Sequence, residues 1–163
     1  MREHYLVRAV YKSRNSFLVW YSDDEDGVLL LDGSLLLFES IDEAMSFAEK
    51  QGFLLDINET EFDFTSIFEL LKGIEVSENC SKLINIWNFF SDLARSLDKE
   101  FIGDSDEGLT MDIYNKLFYG INLGVLKNEE YHPTFDDEEE ERCVSIFNDG
   151  LSILDKQFDV FYA

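Results

Sequence analysis

The segment of the chain closest to a known ligand motif is the acidic sequence SDDEDG, which begins at Ser22. A calcium-binding EF-hand loop takes oxygen ligands at positions 1, 3 and 5, glycine at position 6 and a bidentate glutamate at position 12. Ser22, Asp24 and Asp26, with the closing Gly27, match the beginning of this pattern. Position 12 is Gly33, however, and the segment leads into an apolar run typical of a strand. We therefore predict a solvated acidic turn between strands and no metal site.

Imidazole and thiol groups are few and far apart. The chain has two histidines, His4 and His132, and two cysteines, Cys80 and Cys143, with no H-E-x-x-H, no C-x-x-C and no cysteine beside a histidine. The segment GDSDEG lacks the lysine of a phosphate-binding loop. An acid–base pair cannot be singled out among 35 acidic residues. We predict no catalytic activity, no cofactor and no required metal, and we expect both cysteines to be buried thiols.

The charge balance is the most unusual property of the chain. Thirty-five Asp and Glu residues against 13 Lys and Arg give a formal net charge of −22, and the acids are spread through both halves. Such a surface repels nucleic acids and anionic membranes, whose phosphates bind lysine and arginine. The apolar fraction of 45% argues against disorder. We expect a folded protein whose partner is a basic protein, although the acidity could also serve solubility alone.

The sequence also predicts a cytoplasmic location. Arg8 and Lys12 interrupt the first apolar run, which argues against a signal peptide. No apolar segment approaches the roughly 20 residues that are needed to cross a bilayer. Two widely spaced cysteines are not a disulfide framework, which favours a reducing compartment.

The first 60 residues indicate mainly strands. Apolar residues alternate over Tyr5–Tyr11 and recur over Phe17–Tyr21, as expected for two strands joined by a turn. Asp32 and Gly33 separate two leucine-rich runs, which predicts a hairpin with a type I′ turn. The apolar segment Phe53–Ile57 is expected to return to the sheet as a further strand.

One helix interrupts these strands. Ser40 followed by Glu43 is a capping box, and Gly52 is placed to end the helix. The apolar stripe of this helix is Ile41, Ala44, Met45 and Ala48.

The second half of the chain indicates helices. A short capped helix is predicted over Thr65–Gly73 and a long one over Asn79–Asp98. The long helix has a core stripe of Leu83, Trp87, Phe90, Ala94 and Leu97, and an opposite, solvated face with Asn85, Asn88, Asp92 and Arg95. A further helix carries Ile113, Leu117, Phe118 and Ile121 at helical spacing. The chain is therefore expected to be a single α+β domain over residues 1–163, with a mostly antiparallel N-terminal sheet and C-terminal helices packed on it.

The last helix carries the densest acidic run of the sequence. Thr134 can cap it and Asp137 stands at the capping-box position, so the six acids that start at Asp136 are expected in its first turns. Its predicted apolar face is Val144, Phe147, Leu151, Leu154 and Phe158. A helix would hold the carboxylates in fixed positions toward a cationic partner. The candidate partner-binding residues are Asp136, Asp137, Glu138, Glu139, Glu140 and Glu141, together with Asp23, Asp24, Glu25 and Asp26 and with Asp104, Asp106 and Glu107.

A family resemblance accompanies this interpretation. With its acidic surface, the segment GVLLLDGSLLLFESIDEA and the helix KLINIWNFFSDLARSL, the chain resembles immunity proteins of bacterial polymorphic-toxin and contact-dependent growth inhibition systems. The resemblance implies neutralisation of one cognate toxin, commonly a basic nuclease, by covering its active or substrate-binding surface. The alternative is a DNA-mimic inhibitor of the anti-restriction or anti-CRISPR type, whose carboxylates would imitate the phosphates of a duplex.

Overall fold

A computed structural model describes residues 1–162, apart from the side chain of Glu59. The fold is α+β, as the sequence predicts, with a mostly antiparallel N-terminal sheet, one early helix and then C-terminal helices. Contacts group the chain into two compact units. Unit 1 contains Met1–Thr65, Asp92–Lys99 and the chain from Ile153 onward, and unit 2 contains Ser66–Ser91 and Glu100–Ser152.

The sheet of unit 1 has four strands in the order β3-β2-β1-β6. The strands of the chain are β1 (Glu3–Tyr11), β2 (Arg14–Ser22), β3 (Gly27–Val28), β4 (Leu30–Leu31), β5 (Ser34–Leu35) and β6 (Asp56–Asp63). Strands β1, β2 and β3 form an antiparallel meander in which Tyr5 lies opposite Trp20, whereas β6 pairs with β1 in parallel. Strands β4 and β5 form the predicted Asp-Gly hairpin as a separate two-stranded sheet. Asp32 and Gly33 have φ values of 53° and 81°, the positive values that a type I′ turn requires.

The first helix, α1 (Ile41–Gln51), has the predicted caps. The hydroxyl of Ser40 accepts the N–H of Glu43 at 3.1 Å, and the carboxylate of Glu43 accepts the N–H of Glu39 at 2.9 Å. At the other end Gly52 is left-handed, and the N–H of Phe53 donates to the carbonyl of Ala48 at 3.1 Å. This is a Schellman ending, so the chain after Gly52 first closes the helix. For that reason the predicted strand over residues 53–57 begins three residues later, at Asp56.

Each face of the sheet packs against different elements of unit 1. Because side chains alternate along a strand, Leu6 and Val19 share one face while Tyr11 and Trp20 share the other. The first face packs with Phe38 and the partly buried Phe47 of α1, within a larger buried cluster. On the second face, Tyr11 packs against Phe158 and Trp20 donates a hydrogen bond to Asp92. Phe158 and Asp92 belong to the C-terminal parts of two later helices.

In the described residues of the second half, the α-helices are α2 (Ile67–Lys72), α3 (Ser77–Ser96), α4 (Gly108–Gly120) and α5 (Asp137–Phe161). The first four residues of the predicted α3 stripe, Leu83 to Ala94, are fully buried or nearly so. In unit 2, Trp87 and Phe90 of α3 pack against Phe147 of α5, with ring centroids 5.9 and 6.4 Å apart. None of the helices in the described part of the chain has both the length and the apolar character that crossing a bilayer requires.

Four residues differ from their predicted environments. Asp92 was expected on the solvated face of α3, but it is 6% exposed, since in unit 1 it accepts a hydrogen bond from the indole of Trp20. Met45, Phe118 and Val144 were expected on apolar stripes, but all three are exposed. In α5 the buried positions are instead Cys143 and Ile146, which flank Val144 by one and two residues.

Candidate partner-binding surface

The acidic run lies at the start of α5 and caps the helix itself. The N–H of Glu139 donates to the carboxylate of Asp136 at 2.8 Å, and the N–H of Asp136 donates to the carboxylate of Glu139 at 3.1 Å. This is a reciprocal capping box, two residues later than the predicted one at Thr134. The shift has a tertiary cause, because the carbonyl of Thr134 accepts the ammonium of Lys116 at 2.9 Å and the chain there is not yet helical.

Glu139 is the one buried member of the run. It is 6% exposed, and its carboxylate lies 2.6 Å from the ammonium of Lys116 on α4. This hydrogen bond is the main reason that the pKa of Lys116 is raised above its ordinary value. A partner therefore cannot reach Glu139, whose role is to join α5 to α4. The other five acids of the run are exposed, and one of them, Asp136, is the helix cap.

Beside this run, the end of α4 and the following loop expose apolar side chains. We call residues 118–131 the apolar loop. Its exposed apolar residues are Phe118, Tyr119, Leu123, Val125, Leu126 and Tyr131, of which Leu123 is 91% exposed. Sequence reasoning missed this feature because it assigned Phe118 to a helical core stripe. The available signal was a segment with several apolar residues at neither helical nor strand spacing.

Asn122 holds the apolar loop closed at its base. Its amide nitrogen lies 2.8 Å from the hydroxyl of Ser77, 2.9 Å from the carbonyl of Gly120 and 2.8 Å from the carbonyl of Tyr131. Its amide oxygen accepts the N–H of Tyr131 at 2.7 Å. Asn122 also takes a left-handed conformation, with φ of 57°, which asparagine tolerates better than most residues. The loop is therefore presented on a fixed framework.

The apolar loop and the acidic run meet near Lys116 of α4, because Tyr131 of the loop and Asp136 of the run both lie close enough to its ammonium to raise its pKa. The run is held at Lys116, and the loop is held at Asn122, six residues further on. Asn122 lies two residues beyond the last residue of α4, Gly120. Tyr119, three residues after Lys116, lies on the same side of α4. The result is an exposed aromatic and aliphatic surface with carboxylates at its edge, within unit 2.

The other predicted acidic clusters are also exposed. In unit 1, Asp23 pairs with Arg2 at 3.1 Å, while Asp24 to Asp26 are exposed in the turn before β3. In unit 2, Asp104 accepts the hydroxyl of Ser91, and Asp106 and Glu107 are exposed beside it. This second cluster is anchored on α3, and the acidic run is anchored on α4.

Both cysteines are buried free thiols, and His132 lies beside a backbone carbonyl. Burial raises the pKa of Cys80 to about 11 and that of Cys143 to about 12, so both thiols are protonated at neutral pH. The Nδ1 of His132 lies 3.3 Å from the carbonyl of Glu75. Over residues 1–162, no group of three or more histidine, cysteine or acidic side chains is placed to hold a metal ion.

Comparisons of the chain with protein-family models, with curated proteins and with solved structures found no match.

Proposed function

We propose that this protein binds and neutralises a cognate basic protein, and that it is an immunity protein covering the active or substrate-binding surface of a toxin, most simply a nuclease. The observation that carries the proposal is the apolar loop with carboxylates at its edge. Protein interfaces typically have an apolar, aromatic centre and a polar rim. Here Tyr119, Leu123 and Leu126 would form the centre, and the exposed acids of α5 would form the rim.

The chemistry of the rim decides the class of partner. Exposed carboxylates next to an apolar patch favour a partner that presents lysine or arginine around its own contact surface. A nuclease has such a surface, because it must bind phosphates. The two free, buried cysteines fit a reducing compartment such as the cytoplasm, where a toxin entering or made in the cell would act.

The test combines capture with inhibition. The tagged wild-type chain and the triple variant Tyr119→Ser, Leu123→Ser, Leu126→Ser are used side by side to capture proteins from the source cell. The variant keeps every carboxylate, so it separates apolar contact from charge. We expect one basic protein to be enriched by the wild type and lost with the variant, and its toxic activity to be abolished at a one-to-one ratio.

Two outcomes would contradict the proposal. Capture that is unaffected by the triple variant would remove the apolar loop from the interface. Capture of several DNA-binding proteins that are released by duplex DNA would instead support the DNA-mimic alternative.

A further inference from the structure

Unit 1 contains an aromatic cleft at the end of its sheet where β1 and β2 carry Tyr5 and Trp20 opposite each other. The cleft has a volume of about 280 Å³, and its walls include Tyr5, Trp20, Tyr21 and Asp26. Clefts that accept drug-sized ligands are usually about 300–1,000 Å³. This one is of the size that suits a single side chain.

The aromatic walls are fixed by buried polar contacts. The indole N–H of Trp20 donates to the carboxylate of Asp92 at 2.7 Å, and Asp92 is 6% exposed. Arg95 contacts the same carboxylate at 3.1 Å. Arg95 also donates to the backbone carbonyl of Asp26 at 2.8 Å, which holds the turn that carries the Asp26 side chain. The ring of Trp20 and the backbone of the turn at Asp26 are therefore held in place before any ligand arrives.

The cleft is bordered by the carboxylates of Glu3, Asp26 and Asp56, with the guanidinium of Arg95 beside the turn that carries Asp26. The phenol of Tyr5 donates to the carboxylate of Glu3, and that hydrogen bond is the first cause of a raised Tyr5 pKa. Burial adds to the rise, as does the negative charge of Glu3, Asp56 and Asp26. A cation near the Tyr5 ring would be stabilised by the same carboxylates.

The chain itself shows how a guanidinium binds at this end of the sheet. Arg2 lies over the ring of Tyr21 at 4.1 Å from the centroid, and its Nε donates to the carboxylate of Asp23 at 3.1 Å. An aromatic face and a carboxylate thus hold one guanidinium here. Trp20 and Tyr5, with Asp26, offer the same pair of groups inside the cleft.

We propose that this aromatic cleft takes the guanidinium of an arginine on the surface of the basic partner, so that the inference rests on the proposed function for the source of the ligand. Arginine suits the cleft better than lysine because its planar head stacks on aromatic rings and forks onto a carboxylate. Arginine is also among the residues that dominate the binding energy of interfaces.

The cleft can be tested without the partner. The protein is titrated with N-acetyl-arginine N-methylamide, and the indole N–H signal of Trp20 is followed by NMR. The neutral isostere, N-acetyl-citrulline N-methylamide, is the matched ligand control. We expect a saturable shift of the Trp20 signal with the arginine compound only, weakened by added salt. Equal responses to both compounds would overturn the proposal.

Substitutions in the wall of the cleft test whether the arginine compound binds there. Asp26→Asn and Tyr5→Leu each remove one wall group, and both positions are exposed or partly exposed, so folding should survive. Asp24→Asn removes one carboxylate of the same turn whose side chain is not part of the cleft. We expect affinity for the arginine compound to fall at least threefold with Asp26→Asn and with Tyr5→Leu, and less with Asp24→Asn. Equal losses for Asp26→Asn and Asp24→Asn would mean only diffuse charge attraction.

The outcomes also separate the cleft from the proposed function. If a basic partner is captured and Asp26→Asn and Tyr5→Leu leave its affinity unchanged, the cleft is not an arginine site of that complex, while the proposed function stands. If no partner is found but the arginine compound still shifts Trp20 selectively, the proposed function fails while the guanidinium specificity of the cleft stands.

Discussion

Asp92 is a buried carboxylate on α3 whose ionisation is opposed by its surroundings. Desolvation raises the pKa of Asp92 above the ordinary 3.8, and the hydrogen bond from Trp20 and the charge of Arg95 offset only part of that rise. Between 3.8 and the raised pKa, the folded state holds a proton that the unfolded state has lost. Asp92 therefore makes the protein less stable as pH rises through that interval.

The substitution Asp92→Asn keeps a hydrogen-bond acceptor for Trp20 and removes the titratable carboxyl group. We expect the stability of Asp92→Asn relative to wild type to increase as pH rises from 3.8, by no more than about 1.4 kcal/mol per pH unit. The ion pair with Arg95 forms only when Asp92 is ionised, so its effect is already part of this pH dependence, and it is worth about 0–1 kcal/mol because the Arg95 side chain is 44% exposed. Urea unfolding of both proteins between pH 3 and 7 is the measurement, with Asp24→Asn as the control for losing one exposed carboxylate. Parallel curves for wild type and Asp92→Asn would show that Asp92 is hydrated in solution.

Asn122 supports a second residue-scale prediction. Asn122→Gly keeps the left-handed backbone but removes the side-chain hydrogen bonds at the base of the apolar loop, at a cost of about 1–3 kcal/mol in unfolding free energy. Asn122→Ala should cost roughly 1 kcal/mol more, because its φ of 57° suits alanine poorly. Hydrogen exchange at the Tyr131 N–H should speed up in both variants. Unchanged exchange at Tyr131 would mean that the loop is held by something other than Asn122.

At the scale of elements, Gly150 marks a close approach of α5 to α3. A Cβ built on Gly150 would lie 2.1 Å from the ring of Phe90, which is fully buried and packs against the rings of Phe101 and Phe147. Because the ring is fully buried between these neighbours, overpacking should outweigh the roughly 1 kcal/mol that alanine gains in a helix. We expect Gly150→Ala to lower the unfolding free energy by about 1–3 kcal/mol.

Gly108 is the matched control for this substitution. It is the first residue of α4, and a Cβ there would meet nothing within 4 Å. Gly108→Ala should leave stability unchanged or raise it by up to about 1 kcal/mol. Urea midpoints of the two variants decide the matter, and equal midpoints would contradict close packing of α5 on α3.

Elements defined by neighbours in sequence were predictable, and those defined by distant contacts were not. The Asp32-Gly33 hairpin and α1 follow from backbone conformation and side-chain caps within a few residues, and both predictions are confirmed. The start of α5 depends on Lys116 of another helix, so its cap was placed two residues too early. Strand β6 is a polar edge strand selected by parallel pairing with β1, so the more apolar segment before it was chosen instead.

In the candidate site, too, features set by neighbours in sequence were predicted and features set by distant contacts were not. Exposure of most of the acidic run followed from placing it in the first turns of a helix. Burial of Glu139 did not, because it requires a lysine 23 residues away. The apolar loop was missed for a related reason, since its exposed side chains have no periodicity and its shape depends on the contacts of Asn122 with Ser77 and Tyr131.

At the scale of the whole molecule, the net charge is −22. Helix capping accounts for only a few of the carboxylates that produce it. Such a charge opposes compaction by self-repulsion, and it accelerates encounters with a cation. If the proposed function holds, the total charge attracts the partner from a distance, while the apolar loop determines how long the complex lasts. Association and dissociation rates should therefore respond to different substitutions.

The exposed acids of α5 allow this division to be tested with the fold intact. We expect the combined variant Asp137→Asn, Glu138→Gln, Glu140→Gln, Glu141→Gln to associate more slowly with the captured partner and to show a flatter dependence on salt. Asp136 and Glu139 are kept, because they form the capping box and the contact with Lys116. Stability should change little, since relief of the like-charge pair Asp137/Glu141 offsets weaker interaction with the helix dipole.

A second variant with the same net charge shows whether position matters. Asp32→Asn, Glu39→Gln, Asp42→Asn and Glu49→Gln neutralise four exposed acids of unit 1, whereas the apolar loop and the acidic run belong to unit 2. Association rates of both variants and of wild type are measured across a salt series. A greater slowing by the α5 variant would place the acidic run at the interface rim, because rim charges act on encounter most strongly at short range. Equal slowing would assign the steering to total charge, and unchanged rates at low salt would leave the run as a solvated face, with the interface elsewhere.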